Sequence, residues 1–148
     1  MASFVAEAFN RASEIPAIDC VSVAETAAEK LISLTRRTAM ELADLSRAPD
    51  PALIRHVYDL HVARERYDAN QIAELARMIM LSDAAEFANQ FPAYRENPMH
   101  ETRRALAALK SEERFARQYT EFLDLMVYGD KPSYTDALLI VEAIAGLI

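Results

Sequence analysis

The chain holds two glycines, Gly129 and Gly146, in 148 residues. A Walker loop, a GxGxxG turn and a nucleophile elbow all need glycines that this sequence does not have. A single cysteine, Cys20, excludes an internal disulfide and a cysteine-based zinc site. No apolar run approaches the ~20 residues that span a bilayer. The opening segment, MASFVAEAFNRASE, places acidic side chains where a secretory leader has a basic head and an apolar stretch. The cytoplasm is therefore the expected compartment. Basic residues are also in short supply: 16 Lys and Arg face 23 Asp and Glu, for a net charge of −7. That balance argues against direct nucleic-acid binding by this chain, because such affinity rests on excess cationic charge. A local basic patch is still compatible with it.

What is present is the composition of a globular domain, 52% hydrophobic and 26% charged. Pieces 3–7 and 15–21 are short and β-tolerant. They are either helical or the edge of a sheet whose remainder is missing, since two isolated strands are marginally stable. Ser22-x-x-Glu25 is a capping box that opens a long helix. Its apolar positions are Ala24, Ala27, Ala28, Leu31, Leu34, Leu42 and Leu45, with Pro49 as the stop. Asp50-Pro51 reads as the cap and first turn of a second helix with a stripe of Leu53, Ile54, Val57, Leu60 and His61. A third helix is expected from about Gln71 to Phe91, with a kink or break where Ser82 or Asp83 interrupts the apolar face. Pro92 and Pro98 frame an expected loop. A fourth helix covers Glu101 to Lys110. Ser111 is expected to cap a fifth, striped by Phe115, Tyr119, Phe122, Leu123 and Met126, with Gly129 at its stop. Ser133-x-x-Asp136 opens the last. The fold class expected is mainly α, a bundle of about six helices.

Few residues stand out chemically. His61 falls on an apolar stripe, where a histidine is more often packed than ligating. His56 and His100 have no HxxxH or HExxH neighbour, so a metal site on them has no support. Glu121 and Asp124 have the spacing of a solvated helix face. Lys30 sits on the rim of the first helix's apolar stripe, with Arg37 further along. There it either covers apolar surface with its stem or aims its ammonium into a cleft. Arg55 and Asp59 share a face of the second helix, as an exposed ion pair or as a charged wall.

At these residues the sequence resembles the C-terminal half of the AbiEii/AbiGii-type nucleotidyltransferase toxins, in the polymerase-β-like nucleotidyltransferase superfamily. The resemblance rests on Cys20-Val21-Ser22-Val23-Ala24-Glu25-Thr26-Ala27-Ala28-Glu29-Lys30-Leu31 followed by Arg55-His56-Val57-Tyr58-Asp59-Leu60. Phe91-Pro92-Ala93-Tyr94 and the run from Phe122 to Gly129 are similar too. The resemblance implies that Lys30 contacts nucleotide phosphates as a point charge. It implies that Asp59 assists transfer and that Arg55 positions Asp59 or the phosphates. It also implies an upstream Gly-Gly or Gly-Ser turn and an Asp-x-Asp pair that holds Mg²⁺ against the triphosphate. Neither is here: no glycine precedes Gly129, and no Asp-x-Asp occurs.

The expected organisation follows. Residues 1–21 are one or two remnant strands and a linker of an absent catalytic sheet, and residues 22–148 form the helical C-terminal domain. The chain contributes Lys30, Arg55 and Asp59 to NTP transfer but is expected to be inactive alone. Mg²⁺ and NTP are expected only for a complete enzyme, with no metal ligand in this chain. Expected partners are an antitoxin, a catalytic-domain partner or a second copy through the N-terminal edge, and no membrane. The competing reading is a helical interaction module or self-associating remnant without catalysis. A helix-turn-helix regulator lacks the strongly basic recognition face it needs.

Overall fold

In a computed structural model of the chain, the structure describes residues 8, 9, 19–46 and 48–148. Seven α-helices and no strand are found among them. The β-tolerant pieces 3–7 and 15–18 lie outside the described residues, and Asp19, Cys20 and Val21 adopt neither helix nor strand.

Helix α1 (Val23–Ala43) opens on the serine half of the expected capping box: the Ser22 hydroxyl accepts from the Glu25 amide at 3.1 Å. It is the mast of the domain, packing against α2 (Arg55–Ala63), α3 (Ala69–Glu86) and α5 (Pro98–Ser111). Its buried arc is wide. Ala24, Ala27 and Ala28 let neighbours approach closely, and Leu31, Ile32 and Leu34 are fully enclosed. A helix contacted from several sides needs such an arc rather than a narrow stripe. The helix ends at Ala43, so Leu45, expected on its buried face, is instead 89% exposed.

Asp50 does cap a turn, its carboxylate accepting from the Ala52 amide at 2.9 Å. Residues 51–54 form turns bonded three residues apart, and regular helix begins only at Arg55. Leu53, Ile54, Val57 and Leu60 are buried as expected, whereas His61 is half-buried. A 3-10 turn, Arg64–Arg66, closes this segment.

The expected break at Ser82–Asp83 does not occur. Helix α3 runs unbroken from Ala69 to Glu86, capped by Asp68. The reason is a distant partner: Arg36 of α1 donates to Asp83 at 2.9 Å and lays its guanidinium over the Phe87 ring at 3.8 Å. A paired carboxylate is tolerated on a largely buried face. The expected loop between Pro92 and Pro98 contains a short helix, α4 (Pro92–Glu96), pinned by buried Tyr94 stacked on Phe91. Asn97 then caps α5, with Pro98 in its first turn.

Ser111 ends α5 instead of capping the next helix. The N-cap of α6 (Glu113–Met126) is Glu112, which makes no side-chain cap bond. Phe115, Tyr119 and Leu123 are buried and Phe122 half-buried, while Met126, expected on the buried stripe, is 68% exposed. Gly129 lies three residues past the helix end at φ +132°, where a side chain would strain the backbone. Ser133 caps α7 (Tyr134–Ala145) by accepting from the Asp136 amide, as expected. Helix α7 packs on α2, α3 and α6. No helix of the described residues is long and apolar enough to cross a membrane.

Candidate functional site

The sequence places Lys30 mid-way along α1 and Arg55 and Asp59 on α2. These two helices pack side by side, which brings an amine and a carboxylate from distant positions together. Lys30 Nζ donates to Asp59 Oδ2 at 2.6 Å, with side chains 28% and 33% exposed. The expected alternative, an Arg55–Asp59 ion pair along one helix, is not formed. Among the described residues Arg55 has no ion pair and stays exposed. Asp59 turns instead toward the ammonium across the interface.

Both partners and Arg55 line one open cleft of about 490 Å³. Its other walls are Tyr58 beside Asp59, and Phe122, Met126, Val127 and Tyr128 at the end of α6. Tyr58 and Phe122 meet edge to face at 5.7 Å, joining α2 to α6. Tyr128 is 99% exposed at the rim. The polar side of the cleft thus carries two cations and one carboxylate, and the facing side is aromatic and apolar.

His56 stands next to this pair. Its Nδ1 is buried and has no hydrogen-bond partner. Burial first, then the Lys30 charge, with smaller contributions from Arg55 and Arg37, together lower its pKa to about 4 against the opposing pull of Asp59. A neutral imidazole is what a site already holding cations accommodates. Arg37, one of the rim residues of α1, pairs with Asp50 and adds no free charge. His100 lies elsewhere, on α5, with Nδ1 3.1 Å from Glu101. Glu121 and Asp124 are exposed, and Asp124 pairs with Lys131 at 2.8 Å.

The donor set does not fit a divalent metal. Asp59 is the only carboxylate among the cleft's lining residues, and its charge is already met by Lys30. A triphosphate-bridging Mg²⁺ takes carboxylate oxygens with near-octahedral geometry. Among the described residues no group of three His, Cys, Asp or Glu side chains stands together.

The sequence singled out Lys30, Arg55 and Asp59, which line this one cleft, but not the wall opposite them. Phe122 and Met126 read as core positions by helical period, and Tyr128 lies beyond the helix, where period carries no information. The signal for them was in the Phe122–Gly129 run that carries part of the resemblance. Compared with known proteins, residues 2–141 match the family model described as nucleotidyl transferase AbiEii toxin, type IV toxin–antitoxin system. No curated protein and no solved structure matches the chain.

Proposed function

The chain belongs to the AbiEii family of nucleotidyl transferase toxins of type IV toxin–antitoxin systems, and on that premise we propose that it supplies the cationic wall of a nucleotide-transfer site. Lys30 contacts the phosphates of an NTP as a compact point charge. Arg55 engages the same phosphates or orients them. Asp59 holds the ammonium in place until phosphate arrives and then assists transfer. The observation that carries this reading is the Lys30–Asp59 contact at 2.6 Å in a cleft that Arg55 also lines.

The sequence lacks the Gly-Ser or Gly-Gly turn and the Asp-x-Asp pair, so the carboxylates that would hold Mg²⁺ have to come from outside these 148 residues. The chain by itself then binds nucleotide phosphates weakly and does not transfer them, because charge neutralisation at the leaving pyrophosphate is missing. An antitoxin and a segment bearing those carboxylates are its partners. Homodimerisation through residues 3–7 and 15–21 is the competing assembly, and light scattering at high concentration distinguishes a dimer from a monomer.

The test has two arms. The chain is incubated with Mg²⁺ and each NTP against RNA and protein acceptors; robust transfer by the chain alone overturns the claim of inactivity. In a protein completed with the turn and the Asp-x-Asp pair, Lys30→Ala and Asp59→Ala each abolish transfer and lower stability by less than about 2 kcal/mol. Intact transfer with a larger loss of stability assigns both residues to structure.

A further inference from the structure

A second, smaller hollow of about 310 Å³ adjoins the cationic cleft. The two share Arg55, Phe122 and Met126 in their walls. Beyond Arg55 the chemistry changes. Pro51, Ala52 and Leu125 make an apolar lining, and Gln118 and Glu121, one turn apart on α6, stand at its border. Leu125 is 76% exposed. Among the described residues Glu121 makes no ion pair. A cation at the mouth of an apolar hollow, with a few polar groups at its border, is the pattern of a small-molecule site. The volume is at the lower end of the roughly 300–1,000 Å³ usual for one.

We propose that this hollow is a nucleobase subsite: Phe122, Leu125 and Met126 cover the base, Arg55 meets the phosphates where the two hollows join, and Glu121 accepts an N–H from the base edge. The proposal rests on the nucleotide-binding reading above and extends it to the base. Continuity through Arg55 selects the occupant, since a molecule that fills both hollows must be anionic at one end and flat and apolar at the other. An aromatic wall suits the π-face of any base. An ionised carboxylate only accepts, so Glu121 favours an edge that offers N–H and disfavours one that offers lone pairs alone. Gln118, with a donor and an acceptor, tolerates either. Glu121 is thus a specificity-determining residue, with no part in the transfer step.

The test is a titration of the ¹⁵N-labelled 148-residue chain by NMR at low ionic strength. The probes are ATP, ribose 5-triphosphate, which has no base, and purine riboside triphosphate, which lacks the exocyclic amino group. The expected result is that ATP binds about tenfold tighter than ribose 5-triphosphate, with amide shifts reaching from Lys30 and Arg55 to Gln118–Leu125. Purine riboside triphosphate binds about fivefold more weakly than ATP, and Glu121→Ala removes that difference. Leu125→Ser, at an exposed site that keeps the fold, weakens ATP about threefold and leaves ribose 5-triphosphate unchanged. Equal affinity for ATP and ribose 5-triphosphate, with shifts confined to Lys30 and Arg55, overturns the subsite and leaves the phosphate site standing. Equal affinity for ATP and purine riboside triphosphate removes the role given to Glu121. The absence of shifts with every probe overturns both the subsite and the reading it rests on.

Discussion

The bond between Lys30 and Asp59 has a strength that can be bracketed from its surroundings, and a double-mutant cycle measures it. Exposed ion pairs contribute about 0.2–1 kcal/mol, whereas removing one partner of a buried pair costs about 3–5 kcal/mol. With side chains 28% and 33% exposed and a contact of 2.6 Å, this pair falls near the lower bracket. Water still reaches the group left behind. The expected coupling is about 1 kcal/mol. Lys30→Met keeps the apolar stem and Asp59→Asn keeps the shape, so the cycle isolates the charge interaction. Urea unfolding of the parent, both single variants and the double variant supplies the four free energies. In a chain of 148 residues each kcal/mol also moves Tm by roughly 2–4 °C. The coupling falls by about half or more in 1 M NaCl, where the screening length shrinks to about 3 Å. A coupling below ~0.3 kcal/mol at low salt would refute the contact, and one above ~3 kcal/mol would make the pair a structural bridge. The expected value has a functional meaning. A ligand phosphate that displaces Asp59 from Lys30 forfeits about a factor of five in affinity, a cost that several charge-assisted hydrogen bonds exceed.

Two further outcomes are expected. Asp83→Ala leaves the Arg36 guanidinium, 12% exposed, without its carboxylate, and lowers stability by about 2–3 kcal/mol in urea unfolding; Arg36→Met combined with Asp83→Leu recovers most of the loss, and a single-variant effect under ~0.5 kcal/mol contradicts the pairing. His56 titrates near pH 4 in the folded chain and near ~6.5 when unfolded, so between those values only the unfolded chain takes up the proton; stability is complete above about pH 6.5, declines on acidification toward 4 and does so less in His56→Gln, while a ¹H NMR titration of His56 near 6.5 would contradict its burial beside Lys30, Asp59, Arg55 and Arg37.

Features written within a few residues were legible in the sequence. The two serine caps, Ser22 with Glu25 and Ser133 with Asp136, are local chemistry that needs no tertiary information. The helical class and the buried residues of α1, α2 and α6 followed from period. Errors arose where a distant residue decided the matter. Asp83 signalled a break only because Arg36, 47 positions earlier, was not visible as its partner. Asp59 was set against Arg55, its neighbour along the helix, while the fold presents it to Lys30. Period also overran helix ends: Leu45 and Met126 match the spacing of buried neighbours yet lie in the open, because the chain leaves the helix or the packed layer there. The prolines at 92 and 98 suggested a loop, although each opens a helix at its first turn. The cleft itself was half legible. Its charged side lay in contiguous motifs, and its aromatic side was assembled from the end of α6 and the residues after it.

One rod of the bundle performs two tasks at once. Leu31 and Ile32, the two residues that follow Lys30, are sealed from solvent, so the backbone under that lysine is clamped by the interior. A substitution that rotates the rod enough to re-aim the amine must also unseat those neighbours. Selection for a well-filled interior therefore guards the direction of this charge as a by-product, and descendants of the sequence that still fold inherit its aim.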